Sequence, residues 1–206
     1  MMRLILIRHG ETDCNRRKRL QGQSPIALNA AGRKQAEALA LALREEKIAA
    51  IYSSPLSRSL ETAQAINRFH QLAIGIEDGL QELDVGDLDG LTIEELKSQY
   101  SSFWQEWTSD DPGPVKCPGG ESLGQTQQRA WDTIQEIKKR HRHQVVIVVS
   151  HYFIIMSTIC KALSIDLSHM RRFGPLNTGA ISILDFRDNG PTLTLFNDTC
   201  HLPRKK

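Results

Sequence analysis

Two of the seven histidines stand directly after the two most apolar short runs of the chain. Arg8-His9-Gly10 follows Leu4-Ile5-Leu6-Ile7, and Ser150-His151 follows Val145-Val146-Ile147-Val148-Val149. An imidazole exchanges protons near neutral pH, and its unprotonated nitrogen can act as a nucleophile. Taken alone, either histidine reads equally well as a structural hydrogen-bonder at a strand end. The company of His9 changes that. Arg8 brings a planar fork of donors matched to phosphate oxygens, and Asn15 adds an uncharged donor. Gly10 has no Cβ, so backbone and substrate can approach the ring. A nucleophile among cationic donors has the parts of a cradle for a transferring oxyanion.

For these residues to meet, the two runs must be strands ending at the same place. Both are short, continuous and rich in β-branched residues, the pattern of strands buried on both faces of a parallel sheet. Ala49-Ala50-Ile51-Tyr52 and Ala73-Ile74-Gly75-Ile76 are weaker copies. Between them Ala36, Leu39, Ala40 and Leu43 recur at helical spacing, as Ala130, Ile134 and Ile137 do later. This alternation predicts the α/β class, as a three-layer α/β/α sandwich around a mostly parallel sheet. Ala180 to Phe186 and Thr192 to Phe196 flank Asp188-Asn189-Gly190-Pro191 and predict an antiparallel hairpin at one sheet edge. If the strands before His9 and His151 are neighbours, about 4.8 Å apart, both imidazoles face one pocket at the carboxyl edge.

The stretch 86–120 breaks the rhythm. It holds two tryptophans, a predicted short helix over Thr92 to Tyr100, and a Pro/Gly-rich segment from Asp111 to Gly120. It reads as a small helical insertion covering the carboxyl edge, where open α/β folds place ligands. Phe103, Trp104 and Trp107 within it fit a satellite core better than a substrate platform.

With 206 residues, the chain is of a size that buries roughly 70 % of its unfolded surface, so one domain over 1–206 is expected. A net charge of +2 demands no polyanionic partner. The basic run Lys138 to Arg142, with His141 and His143, ends a predicted helix and suits its dipole rather than nucleic acid. The tail Arg204-Lys205-Lys206 is equally uninformative. Cys14, Cys117, Cys160 and Cys200 form no CxxC pair, which suggests neither a zinc site nor a disulfide framework and fits reduced thiols in a cytoplasm. Four apolar residues before Arg8 are too few for a signal-peptide core. Val145 to Cys160, interrupted by Ser150 and His151, is too short for a membrane span. The expectation is a cytoplasmic protein without cofactor, metal, membrane or nucleic-acid partner.

Arg8-His9-Gly10-Glu11-Thr12-Asp13-Cys14-Asn15 resembles the signature of the histidine phosphatases, or phosphoglycerate-mutase-like proteins, including an Asn three residues after the Thr. Further blocks in the family's order extend the resemblance over nearly the whole chain. They are Arg19-Leu20-Gln21-Gly22, Ser53-Ser54-Pro55-Leu56-Ser57-Arg58 with Thr62, Glu82 with Gly86 and Gly90, Gly119-Gly120-Glu121-Ser122, and Ser150-His151. A lone Arg-His-Gly is a weak signal, whereas the ordered set is a specific one.

The resemblance implies a phosphatase that hydrolyses a small phosphorylated metabolite through a phosphohistidine on His9. Arg8, Arg58 and a protonated His151 would stabilise the transferring phosphoryl group, and Glu82 would be the general acid and then the general base. Asp84, Asp87 and Asp89 are the neighbouring carboxylates that a shifted alignment would put in its place. Asn15, Gln21, Gly22, Tyr152 and His201 are the implied substrate contacts. Ser122 or Glu121 reads as serving the start of the next helix. The chain is most similar to the α-ribazole phosphatases and metal-independent phosphoserine phosphatases, and Asn197 to Leu202 resembles the tails of both. That tail could close over its own pocket or over a partner's in a homodimer.

A phosphoglycerate mutase is the alternative. The chain lacks the longer insertion that mutases place over the site, and Gly22 to Leu28 lacks their usual acidic residue. Tyr152 stands where the family usually has a small residue or threonine. Val85 stands where some phosphoserine-specific relatives have histidine, so α-ribazole phosphate ranks ahead of phosphoserine, and both ahead of 3-phosphoglycerate. Two rivals come from other classes: a metal hydrolase on His9, His151 and Glu82, which Arg8 and Arg58 oppose by their charge, and a non-catalytic phosphate-binding protein.

Overall fold

A computed structural model describes residues 1–203; the basic tail Arg204-Lys205-Lys206 lies outside the described residues. Strand β1 (Met2–Arg8) sends Leu4 and Leu6 to one face of the sheet and Ile5 and Ile7 to the other, and all four are buried. Strand β4 (Val145–Ser150) does the same with Val146 and Val148 against Ile147 and Val149. Continuous apolar runs are needed because both faces of these strands are covered.

One face carries α2 (Ala30–Leu43) and α3 (Ser57–Asn67), whose Leu39, Leu43, Ala63 and Ile66 pack on Ile5, Ile7 and Ile51. The other carries α6 (Leu123–Arg140) and α7 (Tyr152–Ala162), with Ala130, Ile134, Ile137, Ile155 and Ile159. Three layers result, as the periodicity predicts. Ser122 caps α6 in a reciprocal box with Gln125, and α6 ends in Lys138, Lys139 and Arg140, placing cations where the helix dipole favours them.

With β2 (Ala50–Ser53), β3 (Ile74–Ile76), β5 (Ile181–Arg187) and β6 (Gly190–Asp198), the sheet order is β3-β2-β4-β1-β5-β6. The first three pairings are parallel; β1-β5 and β5-β6 are antiparallel, so the predicted hairpin does close one edge. The two strands followed by the histidines are direct neighbours, with Arg8 opposite Ser150.

The segment 86–120 contains the expected helix as α4 (Ile93–Gln99), with Thr92 as its N-cap. A second short helix, α5 (Ser101–Trp107), follows it directly, which the sequence reading did not include. Phe103, Trp104 and Trp107 pack with Leu83, Val85, Leu88 and Leu96 in a satellite core. The same aromatics line a cavity of about 390 Å³ together with Tyr152 and Phe153. Among the described residues no single helix is long and apolar enough to cross a membrane.

Candidate active site

The parallel register sets the site. The His9 N–H donates to Ser150 O at 3.0 Å, so the chain leaves both strands side by side. The two imidazoles lie with centroids 5.0 Å apart and planes inclined by 58°, and both are buried.

His9 Nδ1 is 2.7 Å from Gly10 O. A carbonyl only accepts, so Nδ1 carries the proton and Nε2 keeps its lone pair. This partner is a backbone oxygen one residue away, and sequence reading could not have supplied it. Nε2 accepts from Arg58 Nε at 3.3 Å, and the same Arg58 Nε lies 3.2 Å from His151 Nδ1. Facing a donor, His151 Nδ1 is unprotonated, and Nε2–H donates to Ser54 Oγ at 2.8 Å, with Ser59 Oγ at 3.3 Å. Burial, followed by the nearby Arg58 charge, holds both imidazoles well below the ordinary histidine pKa. Burial, with the Arg58 guanidinium beside it, therefore opposes protonation of His151 in the free site.

Arg58 is the second residue of α3 and is fully buried. Beyond the imidazoles, its Nη1 donates to Ser24 O at 3.0 Å and Nη2 to Gly22 O at 2.7 Å. Burial pushes its pKa down to about 10. Arg8 donates through Nη1 to Leu176 O, its carbon Cζ is 5.7 Å from the centroid of the Tyr152 ring, and its Nε is buried with no hydrogen-bond partner among the described residues. Among the described residues every hydrogen-bond partner of these two guanidiniums is a carbonyl or an imidazole nitrogen. A buried orphan donor on a cation whose hydrogen-bond partner is a neutral carbonyl is a place for an anion.

Glu82 follows the 3₁₀ turn Asp78–Leu80 and is 5 % exposed. Its Oε1 accepts from the N–H groups of Leu83, at 2.9 Å, and Phe153, at 3.1 Å. Burial outweighs these bonds and the nearby arginines and raises its pKa, the condition under which a carboxyl still holds a proton to give. The neighbouring aspartates are occupied elsewhere. Asp89 accepts from Gly22 N and from Ser24 Oγ, Asp84 accepts from Gly86 N, and Asp87 is exposed.

The remaining candidates divide. Gln21 accepts from Thr12 Oγ1 at 2.7 Å, and its Nε2 is buried without a partner among the described residues. Asn15 spends its Oδ1 on the Thr12 cap of α1 (Asp13–Arg16), so the amide nitrogen is what it can offer a ligand. Gly22 donates its N–H to Asp89 and lends its carbonyl to Arg58. Tyr152 opens α7 beside Arg8 and borders the apolar cavity. His201 Nε2 lies 2.9 Å from Gly179 O, and Gly179 N–H points at the carbonyls of Arg8 and His9. Its link to the site therefore runs through backbone.

Gly10 does admit a close backbone approach, from a residue distant in sequence. A Cβ there would lie 2.5 Å from Gly32 O, in the first turn of α2. The glycine lets the backbone of that helix come close. Ser54 and Ser59, which orient His151, were missed as functional residues; Ser54 lies inside a block already noted, but neither serine advertises its partner. Among the described residues no group of three or more His, Cys, Asp or Glu side chains is arranged to hold a metal ion. The space between the imidazoles belongs to Arg58 Nε.

The family model described as histidine phosphatase superfamily (branch 1) matches residues 4–199. The chain is 36 % identical over 202 residues to phosphoserine phosphatase 1 of Hydrogenobacter thermophilus, covering 98 % of this chain and 95 % of that protein. Among solved structures it is similar to a phosphoserine phosphatase variant from Entamoeba histolytica in complex with phosphoserine, with TM-score 0.85 and 31 % identity over 98 % of this chain and all of that one. It is also similar to the α-ribazole phosphatase of Shigella flexneri, with TM-score 0.85 and 27 % identity, covering 96 % of each chain. The paired imidazoles, the buried Arg58 with the half-buried Arg8 beside it, and a family match along nearly its whole length agree: this chain belongs to the histidine phosphatase superfamily, branch 1.

Proposed function

We propose that the chain is a metal-independent phosphatase of small phosphate monoesters, with His9 as nucleophile and Glu82 as general acid and base. The observation that carries this reading is the tautomer of His9, fixed by Gly10 O so that Nε2 presents its lone pair beside Arg58. His9 Nε2 attacks phosphorus, the P–O bond to the leaving group breaks, and protonated Glu82 gives its proton to the departing alkoxide. Water then attacks the phosphohistidine while the Glu82 carboxylate takes its proton. The P–N bond breaks and His9 returns to the neutral form. Arg8, Arg58, Gln21 and Asn15 hold the phosphoryl oxygens, and a bound dianion favours protonation of His151 that the free site opposes. A mutase would have to keep water from the phosphohistidine, and the relatives named phosphoserine phosphatase favour hydrolysis.

Two candidate substrates follow. The apolar cavity borders the site through Leu83, Tyr152 and Phe153, and Arg171 is the charged residue of its lining. That supports a leaving group with an apolar ring, as in α-ribazole phosphate. Phosphoserine is the second reading, favoured by the relatives named phosphoserine phosphatase. We further read 1–206 as one domain with 86–120 as its covering insertion. It would act in the cytoplasm on a small phosphorylated metabolite, without cofactor, membrane or nucleic acid, and the tail around His201 would either stay on its own chain or join a homodimer.

The test is phosphate release from α-ribazole phosphate, phosphoserine and 3-phosphoglycerate with chelator present, for wild type and His9→Ala. Turnover that resists chelator and disappears with the substitution is expected. Turnover that needs a divalent ion or survives the loss of His9 overturns the mechanism, and ligand binding with no turnover on any ester supports the non-catalytic rival.

A further inference from the structure

Glu82 sits in an irregular segment between a 3₁₀ turn and α4, yet its geometry is held from the far side by a residue outside the site. Arg129, on α6, donates Nη1 to the carbonyls of Gly79, at 3.0 Å, and Gln81, at 2.6 Å. Its Nη2 donates to Glu82 O at 3.0 Å and to Glu121 Oε1, and its Nε to Glu121 Oε2 at 3.1 Å. All five guanidinium donors are thereby used. Glu121 Oε1 also accepts from Asp84 N at 2.9 Å, and Glu121 N–H donates to Asp84 O at 2.9 Å. One ion pair thus grips the backbone at 79, 81, 82 and 84, on both sides of the carboxyl-bearing residue.

The packing leaves the loop no slack toward α6. A Cβ on Gly79 would fall 2.0 Å from Thr133 Oγ1 and 3.1 Å from Arg129 O. Ser150 Oγ, at the end of β4, donates to Leu80 O at 2.7 Å. The loop is therefore tied both to the strand that leads into His151 and to α6. Neither Arg129 nor Glu121 donates to or accepts from His9, His151, Arg8 or Arg58 in the described structure.

We propose that Arg129, with Glu121, is a positioning residue for proton transfer: it fixes the Glu82 backbone so that the carboxyl meets the leaving-group oxygen. The proposal rests on Glu82 being the acid of the phosphatase reaction. A lysine cannot replace the arginine, since a single ammonium cannot span three carbonyls and a carboxylate held in one plane of donors. Ser122 starts α6 and Glu121 precedes it, so the block Gly119-Gly120-Glu121-Ser122 has two tasks on adjacent residues, a cap and half of a clamp.

The experiment compares kcat/KM for an alkyl phosphate, phosphoserine, with that for p-nitrophenyl phosphate, whose leaving group departs without a proton. kcat/KM reports the steps through phosphoryl transfer to His9, so slow dephosphorylation does not mask the effect. Because general acid catalysis contributes about 10² to 10⁴, Arg129→Gln is expected to lower kcat/KM on the alkyl ester by roughly 10- to 100-fold, leaving the aryl ester within about 3-fold. Arg129→Lys should restore little of the alkyl activity. Glu121→Gln, which keeps the shape of the acceptor, should show the same selective loss more weakly, and it decides the matter if Arg129→Gln does not fold. An equal loss on both esters, or none, overturns the clamp. Glu82→Gln is the control: if it too fails to discriminate between the esters, the fault lies in the assignment of Glu82 as acid. If it discriminates and the Arg129 and Glu121 variants do not, only the positioning proposal falls.

Discussion

Replacing Arg58 by methionine removes the buried cation of the site while keeping most of the side-chain volume. The guanidinium Nε is 3.3 Å from His9 Nε2, so a phosphoryl group being transferred to that nitrogen carries its charge roughly 5 Å from the guanidinium. With an effective dielectric of about 20, one unit charge at that range is worth about 3 kcal/mol, or roughly 10²-fold in rate. The substitution also strips donors from Ser24 O and Gly22 O, at about 1–3 kcal/mol for each buried carbonyl left unpaired. Relief of the buried guanidinium's own desolvation offsets part of that cost. A second signature is independent of rate. Arg58 is, after burial, the next cause of the low pKa of His9. Without it that pKa rises, and because only the neutral imidazole attacks, the acid limb of kcat/KM must move to higher pH. The assay is kcat/KM for p-nitrophenyl phosphate against pH, with chelator, on wild type and Arg58→Met. A rate loss with an unmoved acid limb would refute the electrostatic link between Arg58 and His9, and an unchanged rate would remove Arg58 from the phosphoryl cradle.

Two further predictions follow from burial and crowding. Gly10→Ala presses a methyl group against Gly32 O and should cost about 1–3 kcal/mol by overpacking, seen as a lower urea midpoint; an unchanged midpoint would show that α2 can move away freely. His9 and His151 both have pKa values lowered in the folded state, so the unfolded chain binds more protons as pH falls below about 6.5 and stability declines by up to about 1.4 kcal/mol per pH unit for each. Glu82, raised in the folded state, titrates in the opposite sense above its ordinary value near 4.3. The decline between pH 6.5 and 5 should therefore be steeper in Glu82→Gln than in wild type. Urea midpoints that stay flat with pH in both proteins would mean that the imidazoles are not held neutral.

The sheet was legible because its central strands are buried on both faces and so must be apolar without a break, as Leu4 to Ile7 and Val145 to Val149 are. The histidines could be paired from sequence because each directly follows such a strand. What lowers the proton affinity of His151 was not legible, since it is burial in the folded site followed by the charge of Arg58, which reaches the site from α3. Helix α5 was missed although Tyr100, Phe103, Trp104 and Trp107 recur at helical spacing; the run is short, and Tyr100 both ends α4 and opens α5. Gly10 was read correctly as a close approach of backbone, but which backbone was not legible, because Gly32 is distant in sequence. Arg129 gave no signal at all, since its partners are mostly backbone carbonyls and any sequence supplies those.

The single hydrogen on Arg58 Nε is shared by two acceptors at 3.3 and 3.2 Å, so neither imidazole has the whole of it. Whatever engages the lone pair of His9 Nε2 releases that hydrogen to His151, and whatever draws it toward His151 frees the lone pair of His9. The two rings are thus linked partners whose preferences are reciprocal, each gaining what the other gives up. Occupancy at one ring is communicated to its neighbour by the reassignment of one hydrogen bond, with no movement of the backbone required.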